Sequence, residues 1–481
     1  MAMTVLENFV GGVFRPGSGD AVIPDHNPSD HEDLIGHVPA GTPDDATLAV
    51  AAARAALDGW RALPGPARSA HLFRWASVIE DGAEPLAQAL AREVGKPIGE
   101  SRGEVARCAV ILRYYAGEAV RAVGEVVPAQ AAGALQFTLR DPLGVCALIT
   151  PWNFPAAIPL WKAAPALAFG NTVVLKPAEQ ASHVAMLLAQ TAAKAGLPTG
   201  VFNVVLGAGA TVGSGLIEAA DVRAVSFTGS TGVGAQVAAR CAARNIRFQT
   251  EMGGKNVAIV LADADLDLAA RLTAAGAMRY AGQKCTATSR VVIQEQVFDP
   301  FMTRLQQEIA RLPLGPVTDA ASAVGPLITP AARDRVRAAL AAMEGTTVIG
   351  GGAPGDAAFA RGNFLAPTVV RDVSPDSAMA QDELFGPVLT AFRVADLDQG
   401  IQVANHTRYG LSASLFTRDL GSALEYIRRI EVGLVRVNGD TTGVDPHAPF
   451  GGVKASSSGS REQGSAAREF YTETRTIQVA G

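Results

Sequence analysis

The sequence predicts an α/β protein with two doubly wound α/β domains and a small additional β element. Three observations carry that expectation. Short apolar runs alternate with helical stretches from Val145 onward. A second alternation of the same kind follows Cys285. Two β-like segments, 123–141 and Phe470–Val479, stand outside both sets. At 481 residues the chain is long enough for two or three domains, because a single core stops growing at roughly 250–300 residues.

The elements follow in order. The first forty residues read as short strands and turns around Gly11-Gly12 and Asn27-Pro28. From Pro43 to Gly117, apolar residues recur at helical spacing, as in Leu72, Trp75 and Ile79, then Leu86, Leu90 and Val94. That spacing predicts amphipathic helices, broken at Gly95-Lys96-Pro97. Segment 123–141 reads as a hairpin with Phe137–Arg140 as one arm. Val145–Ile149, Thr172–Leu175, Phe202–Leu206, Ala224–Phe227 and Val257–Leu261 read as buried strands, with helices at 179–195 and 231–243. Such alternation implies a mostly parallel sheet covered on both faces. After Cys285 come a strand at Arg290–Gln294, a helix near 299–311 and further alternation to Gly433–Val437. Bare β-segments need partners, and a subunit interface is one solution.

Composition excludes several classes. Hydrophobic residues make up 48%, charged residues 18%, and the net charge is −5. No Lys/Arg-rich run is present, which argues against a nucleic-acid partner. The four cysteines, Cys108, Cys146, Cys241 and Cys285, form no Cys-x-x-Cys pair, and the seven histidines form no metal-ligand spacing; no metal site is expected. No apolar run reaches the ~18–20 residues of a membrane span, and no signal peptide is visible. A soluble, reduced, cytoplasmic protein is the simplest expectation.

Six segments can carry chemistry. Gly282-Gln283-Lys284-Cys285-Thr286 offers a thiolate nucleophile, and Glu251-Met252-Gly253-Gly254-Lys255 a carboxylate base. Taken singly, each has a plainer reading as packing or surface charge. Phe227-Thr228-Gly229-Ser230-Thr231-Gly232-Val233-Gly234 runs from a strand into a helix, where backbone N–H groups and the Ser230 hydroxyl can cradle a pyrophosphate. Gly207–Gly213 is a weaker Gly-x-Gly segment. Lys176-Pro177-Ala178-Glu179 ends a strand, the place where ligands of open α/β sheets sit, and can meet ribose hydroxyls or form a surface ion pair. In Pro151-Trp152-Asn153-Phe154-Pro155, two prolines stiffen the loop around an amide that can serve an oxyanion or cap the next helix.

Together these residues resemble the aldehyde dehydrogenase superfamily across nearly the whole chain. Glu383-Leu384-Phe385-Gly386-Pro387-Val388 and Pro449-Phe450-Gly451-Gly452-Val453-Lys454 extend the match. The resemblance implies a discontinuous dinucleotide-binding domain at 1–122 and 142–251, a catalytic domain at 252–453, and oligomerisation β-segments at 123–141 and 465–481. It implies Cys285 as nucleophile, Glu251 as the base that activates water, and Asn153 with the Cys285 backbone N–H as oxyanion donors. Lys162 and Glu462 resemble a proton-relay pair. Ile149, Trp152, Lys176, Glu179, Gly229, Ser230, Glu383 and Phe385 would hold the cofactor. The carboxylate of Glu179 favours NAD over NADP, with Lys176 leaving NADP as a less efficient alternative. A homodimer or homotetramer is implied.

Within the superfamily the branch most resembled is the bacterial α-ketoglutarate semialdehyde (2,5-dioxopentanoate) dehydrogenases. The segments are Pro151–Ala166, Phe248–Asn256, Gly443–Phe450 and Lys454–Gly464, where Lys454-Ala455-Ser456-Ser457-Ser458 departs from the commoner Lys-x-Ser-Gly. An acidic semialdehyde needs a cation in the tunnel. Arg279, six residues before Cys285, is the first candidate and Arg107 the second, with Phe154, Trp161 and Val444 as apolar walls. The alternatives are a succinic semialdehyde or broad-specificity dehydrogenase, a CoA-acylating enzyme, and a non-catalytic scaffold. Retention of Glu251, Cys285 and Asn153 argues against the last two.

Overall fold

In the computed structural model, residues 5–121, 124–350, 354 and 359–480 are described. Two large sheets organise the chain. The first has eight strands in the order Val13–Arg15, Asn8–Val10, Phe202–Val204, Thr172–Lys176, Val145–Ile149, Val222–Thr228, Arg247–Glu251 and Ser457–Gly459. The middle five are parallel, and the chain reverses direction across the sheet between Val145–Ile149 and Val222–Thr228. Parallel neighbours on either side of that switch send their following segments to opposite faces. A crevice opens there, outside the carboxyl ends of the strands.

The strand Arg247–Glu251 escapes an apolar reading because its sequence, Arg-Phe-Gln-Thr-Glu, is mostly polar. It is held by hydrogen bonds as well as by packing. Buried Gln249 donates to Ser226 Oγ (2.9 Å) and Glu462 Oε1 (2.8 Å), and Thr250 Oγ1 lies 2.6 Å from Ser458 Oγ. The antiparallel strand Ser457–Gly459 covers its outer edge, with Glu251 opposite Ser457.

The second sheet has seven strands in the order Thr346–Ile349, Thr368–Arg371, Val388–Val394, Thr288–Gln294, Asn256–Val260, Ser412–Phe416 and Leu434–Val437. All pairs are parallel except that of the Thr346–Ile349 edge strand. Arg290 knits it to its helices: its buried guanidinium donates to the carbonyls of Lys255, Val403 and Ala404.

The two β-segments expected to need partners find each other. Leu135–Pro142 pairs with Thr472–Val479 over eight residues and with Val126–Val127, giving a three-stranded sheet. Phe470 and Tyr471, expected in the last strand, instead end the helix Gly464–Tyr471. Both side chains are buried in the first core, alongside Trp75 and Tyr115. Among the described residues no helix is long and apolar enough to cross a membrane.

The amino-terminal helices Pro43–Ala62, Gly65–Asp81, Ala83–Val94 and Ile98–Glu118 occupy the predicted stretch. Helix Ile98–Glu118 packs along Ala157–Ala168, the helix that follows the Pro151–Pro155 loop. That packing brings a distant amino-terminal helix to the edge of the candidate site.

Candidate active site

Four residues carry the chain from one sheet to the other. Glu251 ends a strand of the first sheet, and Asn256 begins the Asn256–Val260 strand of the second. A Cβ on Gly253 would lie 1.9 Å from a carboxylate oxygen of Glu383. One on Gly254 would lie 2.9 Å from the carbonyl oxygen of Cys285. Both glycines are therefore demanded by close approach. The Gly254 N–H donates to Glu383 (3.0 Å), and Asn256 Nδ2 donates to the carbonyls of Cys285 and Ala287, each at 2.8 Å.

The nucleophile loop is bent sharply. Tyr280, Ala281 and Gly282 take φ values of 55°, 52° and 66°. Left-handed backbone costs a non-glycine residue on the order of 1–3 kcal/mol. Tertiary contacts hold it: Tyr280 is fully buried and its hydroxyl donates to the Val94 carbonyl. Gln283 accepts from Ile328 N–H and donates to the Pro326 carbonyl. Cys108, Cys146 and Cys241 are buried, while Cys285 is partly exposed.

Cys285 is the residue common to two cavities. The larger, of about 600 Å³, is lined by Trp152, Asn153, Gly229, Ser230, Glu383 and Phe385, among others. The smaller, of about 270 Å³, is lined by Arg107, Phe154, Trp161, Lys284, Val444 and Phe450, among others.

The larger cavity suits a dinucleotide. Helix Thr231–Ala243 points its amino terminus at it, and the Ser230 side chain makes no capping bond to that helix. Thr228 Oγ1 and Thr231 Oγ1 are buried without partners in the same lining. Phosphate oxygens would satisfy such orphaned donors. Ile149, Lys176 and Glu179, expected with this group, do not line the cavity. They cluster at neighbouring strand ends: Lys176 donates to the Pro177 carbonyl and lies 3.6 Å from Glu179, which accepts from Gly209 N–H (2.8 Å). Gly213 stands beside Lys176 and Ile149, so the weaker glycine segment belongs to this cluster.

Asn153 is buried. Its Nδ2 donates to the Gln283 carbonyl (3.2 Å), which leaves a second N–H on that nitrogen, and its Oδ1 has no partner. A buried pair invisible in the sequence supports the loop. Lys96 bonds Glu104 and the Asn153 carbonyl, while Glu104 accepts from the N–H groups of Ala156 and Ala157. The Lys96 ammonium also lies 4.0 Å from the Phe154 ring centroid. Gly95-Lys96-Pro97 shows only a helix break in sequence, and no spacing rule links it to residue 153.

Glu251 is buried, and one oxygen accepts from Ser457 Oγ (2.6 Å). Burial first, then the charge of Glu462, holds its carboxyl well above the usual range. Glu462 bonds Lys162, which also donates to Ser226 Oγ (2.7 Å). Burial pushes the Cys285 thiol up to about 12, with Glu383 and Glu251 adding to it. Burial also lifts Glu383 to about 7.

One expected residue is displaced. Arg279 is exposed and does not line the cavity at Cys285. The left-handed turn directly after it sends Tyr280 into the core and leaves Arg279 on the outside. Arg107 does line the cavity, and its guanidinium donates to the Val444 carbonyl. Among the described residues no carboxylate is paired with it. Glu100 and Glu104, the acids of the same lining, are bound by Lys284 (2.9 Å) and Lys96.

Known proteins match the chain in sequence and in fold. The sequence model of the aldehyde dehydrogenase family covers residues 14–477. An alpha-ketoglutaric semialdehyde dehydrogenase of Bacillus subtilis is 42% identical over 98% of this chain and 97% of its own. An alpha-ketoglutarate semialdehyde dehydrogenase of Haloferax volcanii is 41% identical over 98% of each. The crystal structure of an NAD-dependent aldehyde dehydrogenase from Sinorhizobium meliloti superposes with a TM-score of 0.95 at 36% identity, over 99% of this chain and 95% of that one. With a thiol between two cavities, a buried carboxylate beside it and a family match along almost its whole length, the chain belongs to the aldehyde dehydrogenase family.

Proposed function

We propose that the protein oxidises an aldehyde that carries a carboxylate, of the α-ketoglutarate semialdehyde class, to the corresponding acid with NAD. The observation that carries the reading is Cys285 at the meeting of the two cavities, with a cation, Arg107, in the smaller one.

The chemistry follows from the residues. An aldehyde carbon does not release hydride directly. Addition of the Cys285 sulfur makes a tetrahedral carbon whose oxyanion can expel it. Asn153 Nδ2 and the Cys285 N–H would stabilise that oxyanion, each such donor being worth about 3 kcal/mol. NAD, when bound, supplies the hydride acceptor. Glu251 then takes a proton from water, which attacks the thioester and returns the thiol. A carboxyl raised by burial holds a proton more readily, which suits a base that must take one from water. Lys162 and Glu462 would pass the proton onward.

The domain reading assigns 1–122 with 142–251 to the cofactor, 252–453 to catalysis, and 123–141 with 465–481 to subunit contact; the boundary at 122–123 and both chain ends lie outside the described residues. It is supported by the two sheets and by the separate three-stranded sheet. That small sheet exposes Val126, Val127, Leu135, Leu139 and Val479 and has bare edges. A homodimer or homotetramer would cover them. In sedimentation, the Leu135→Glu/Leu139→Glu double variant should shift toward monomer mass while the parent chain sediments as an oligomer; a monomeric parent removes the reading.

Activity is tested on α-ketoglutarate semialdehyde, succinic semialdehyde, glutaraldehyde and a neutral aliphatic aldehyde, with and without CoA. Arg107→Ala should raise KM for the acidic semialdehydes about ten- to a hundredfold, the range of a lost charged hydrogen bond, and change the neutral aldehyde little. An equal effect on all four, or a requirement for CoA, would defeat the proposal.

Glu179→Gln should lower the NAD-to-NADP ratio of kcat/KM severalfold, because a carboxylate repels the 2′-phosphate. An unchanged ratio would mean that Glu179 does not discriminate.

Reaction of the cofactor-free protein with iodoacetamide should rise about tenfold per pH unit from pH 7 to 9, as the thiolate fraction of a thiol near 12 does. Glu383→Gln removes a negative charge and should speed labelling at fixed pH. A plateau already reached at pH 7 would contradict the raised thiol.

A further inference from the structure

Three consecutive serines stand where the family pattern more often has Ser-Gly, and each is used differently. Ser456 Oγ accepts from the Gly410 N–H (3.0 Å). Ser458 Oγ meets Thr250 Oγ1. Ser457, the residue in place of the glycine, has its Oγ 2.6 Å from Glu251 Oε2.

The Ser457 hydroxyl is oriented by a second contact. Its oxygen accepts from the Gly452 N–H at 2.7 Å. A hydroxyl has one proton to give. With Gly452 donating into its lone pair, that proton points at Glu251. The backbone reinforces this, since Ser457 and Glu251 are opposed in the antiparallel ladder and Met252 N–H donates to the Ser456 carbonyl (2.8 Å). Glu251 is thus held at one oxygen only. Oε1 is buried with no partner, and a Cβ on Gly451 would come within 2.7 Å of it.

We propose that Ser457 is a positioning residue for Glu251: its hydroxyl fixes Oε2 and leaves Oε1 as the oxygen that accepts the proton of the hydrolytic water. This rests on Glu251 being the base of the thioester-hydrolysis step. A glycine at this position has no hydroxyl, so the base would have to be held some other way. The hydrogen bond also favours the ionised carboxylate. It works alongside Lys162 and Arg461, which lower the carboxyl, against burial and Glu462, which raise it. The charges of Glu383 and Glu251 also act on the Cys285 thiol, so the three groups are electrostatically linked.

An ester separates the steps without a nicotinamide. With p-nitrophenyl acetate, the Cys285 thiol gives its proton to solvent, and its sulfur–carbon bond forms as the carbon–oxygen bond to p-nitrophenolate breaks. Water then adds to the thioester, giving its proton to Glu251, and the thiolate leaves as acetate forms. The first step is read as a burst of p-nitrophenolate and the second as the steady rate. Ser457→Ala should keep the burst, slow the steady rate about tenfold and move its pH midpoint up by about one pH unit. Ser457→Thr, which keeps the hydroxyl, should restore both. Ser457→Ala with an unchanged rate and midpoint, while Glu251→Gln abolishes turnover, overturns the positioning role alone. Glu251→Gln that turns over like the parent overturns the base assignment on which it rests. A burst lost in Ser457→Ala and not recovered in Ser457→Thr means a structural role and overturns the proposal as well.

Discussion

The crossing from Glu251 to Asn256 fixes the rest of the site. Both cavities, the thiol and the carboxylate lie where the two sheets meet, and Met252–Lys255 carries the chain directly from one to the other. Gly253 and Gly254 allow Glu383 and the Cys285 carbonyl to approach the crossing chain more closely than any Cβ would permit. Asn256 completes the junction by holding the nucleophile loop through its carbonyls. Glu251 at the end of a first-sheet strand and Cys285 just before a second-sheet strand thus have little freedom to separate. That matters because an ångström of misplacement can cost about a hundredfold in rate.

Burial around this junction has a price, paid in hydrogen bonds. Glu462, Lys162, Gln249 and Ser226 form one hydrogen-bonded polar cluster, and the charges of Glu462 and Lys162 act on Glu251 beside it. Unpaired charge in such a setting would be strongly destabilising. One oxygen of each acid, Glu251 Oε1 and Glu462 Oε2, is buried without a partner, as are Asn153 Oδ1 and the Thr228 and Thr231 hydroxyls nearby. The carboxyl and the thiol both respond to burial by favouring their neutral forms. The cluster is therefore suited to moving protons. The smaller cavity follows a similar logic: its acids are neutralised by lysines, and Arg107 bonds a backbone carbonyl.

Much of the architecture was legible because it rests on local signals. The strands Val145–Ile149 and Thr172–Lys176 are unbroken apolar runs, and Thr231–Ala243 follows a glycine-rich strand end. Such signals depend on periodicity and turn chemistry, which are properties of neighbouring residues. Arg247–Glu251 was not legible as a strand, because its buried side chains are polar and their partners lie on Ser226, Ser458 and Glu462. Nor was the helical end of Phe470 and Tyr471, whose side chains are drawn into a core assembled from the other end of the chain.

The sequence by itself determined the reaction-bearing residue types and their order: a thiol in a glycine loop, a carboxylate before two glycines, a helix start suited to phosphate. Only the tertiary structure decided which of the two arginines faces the smaller cavity. Arg279 is six residues from Cys285, yet left-handed backbone at Tyr280 and Ala281 turns it outward, and nothing in those residue types announces that geometry. Arg107 reaches the cavity because two helices far apart in sequence pack together. Lys96, Glu104 and Ser457 become visible for the same reason. Sequence proximity controls what a residue can be, but side-chain direction is set by backbone strain and packing that distant segments impose.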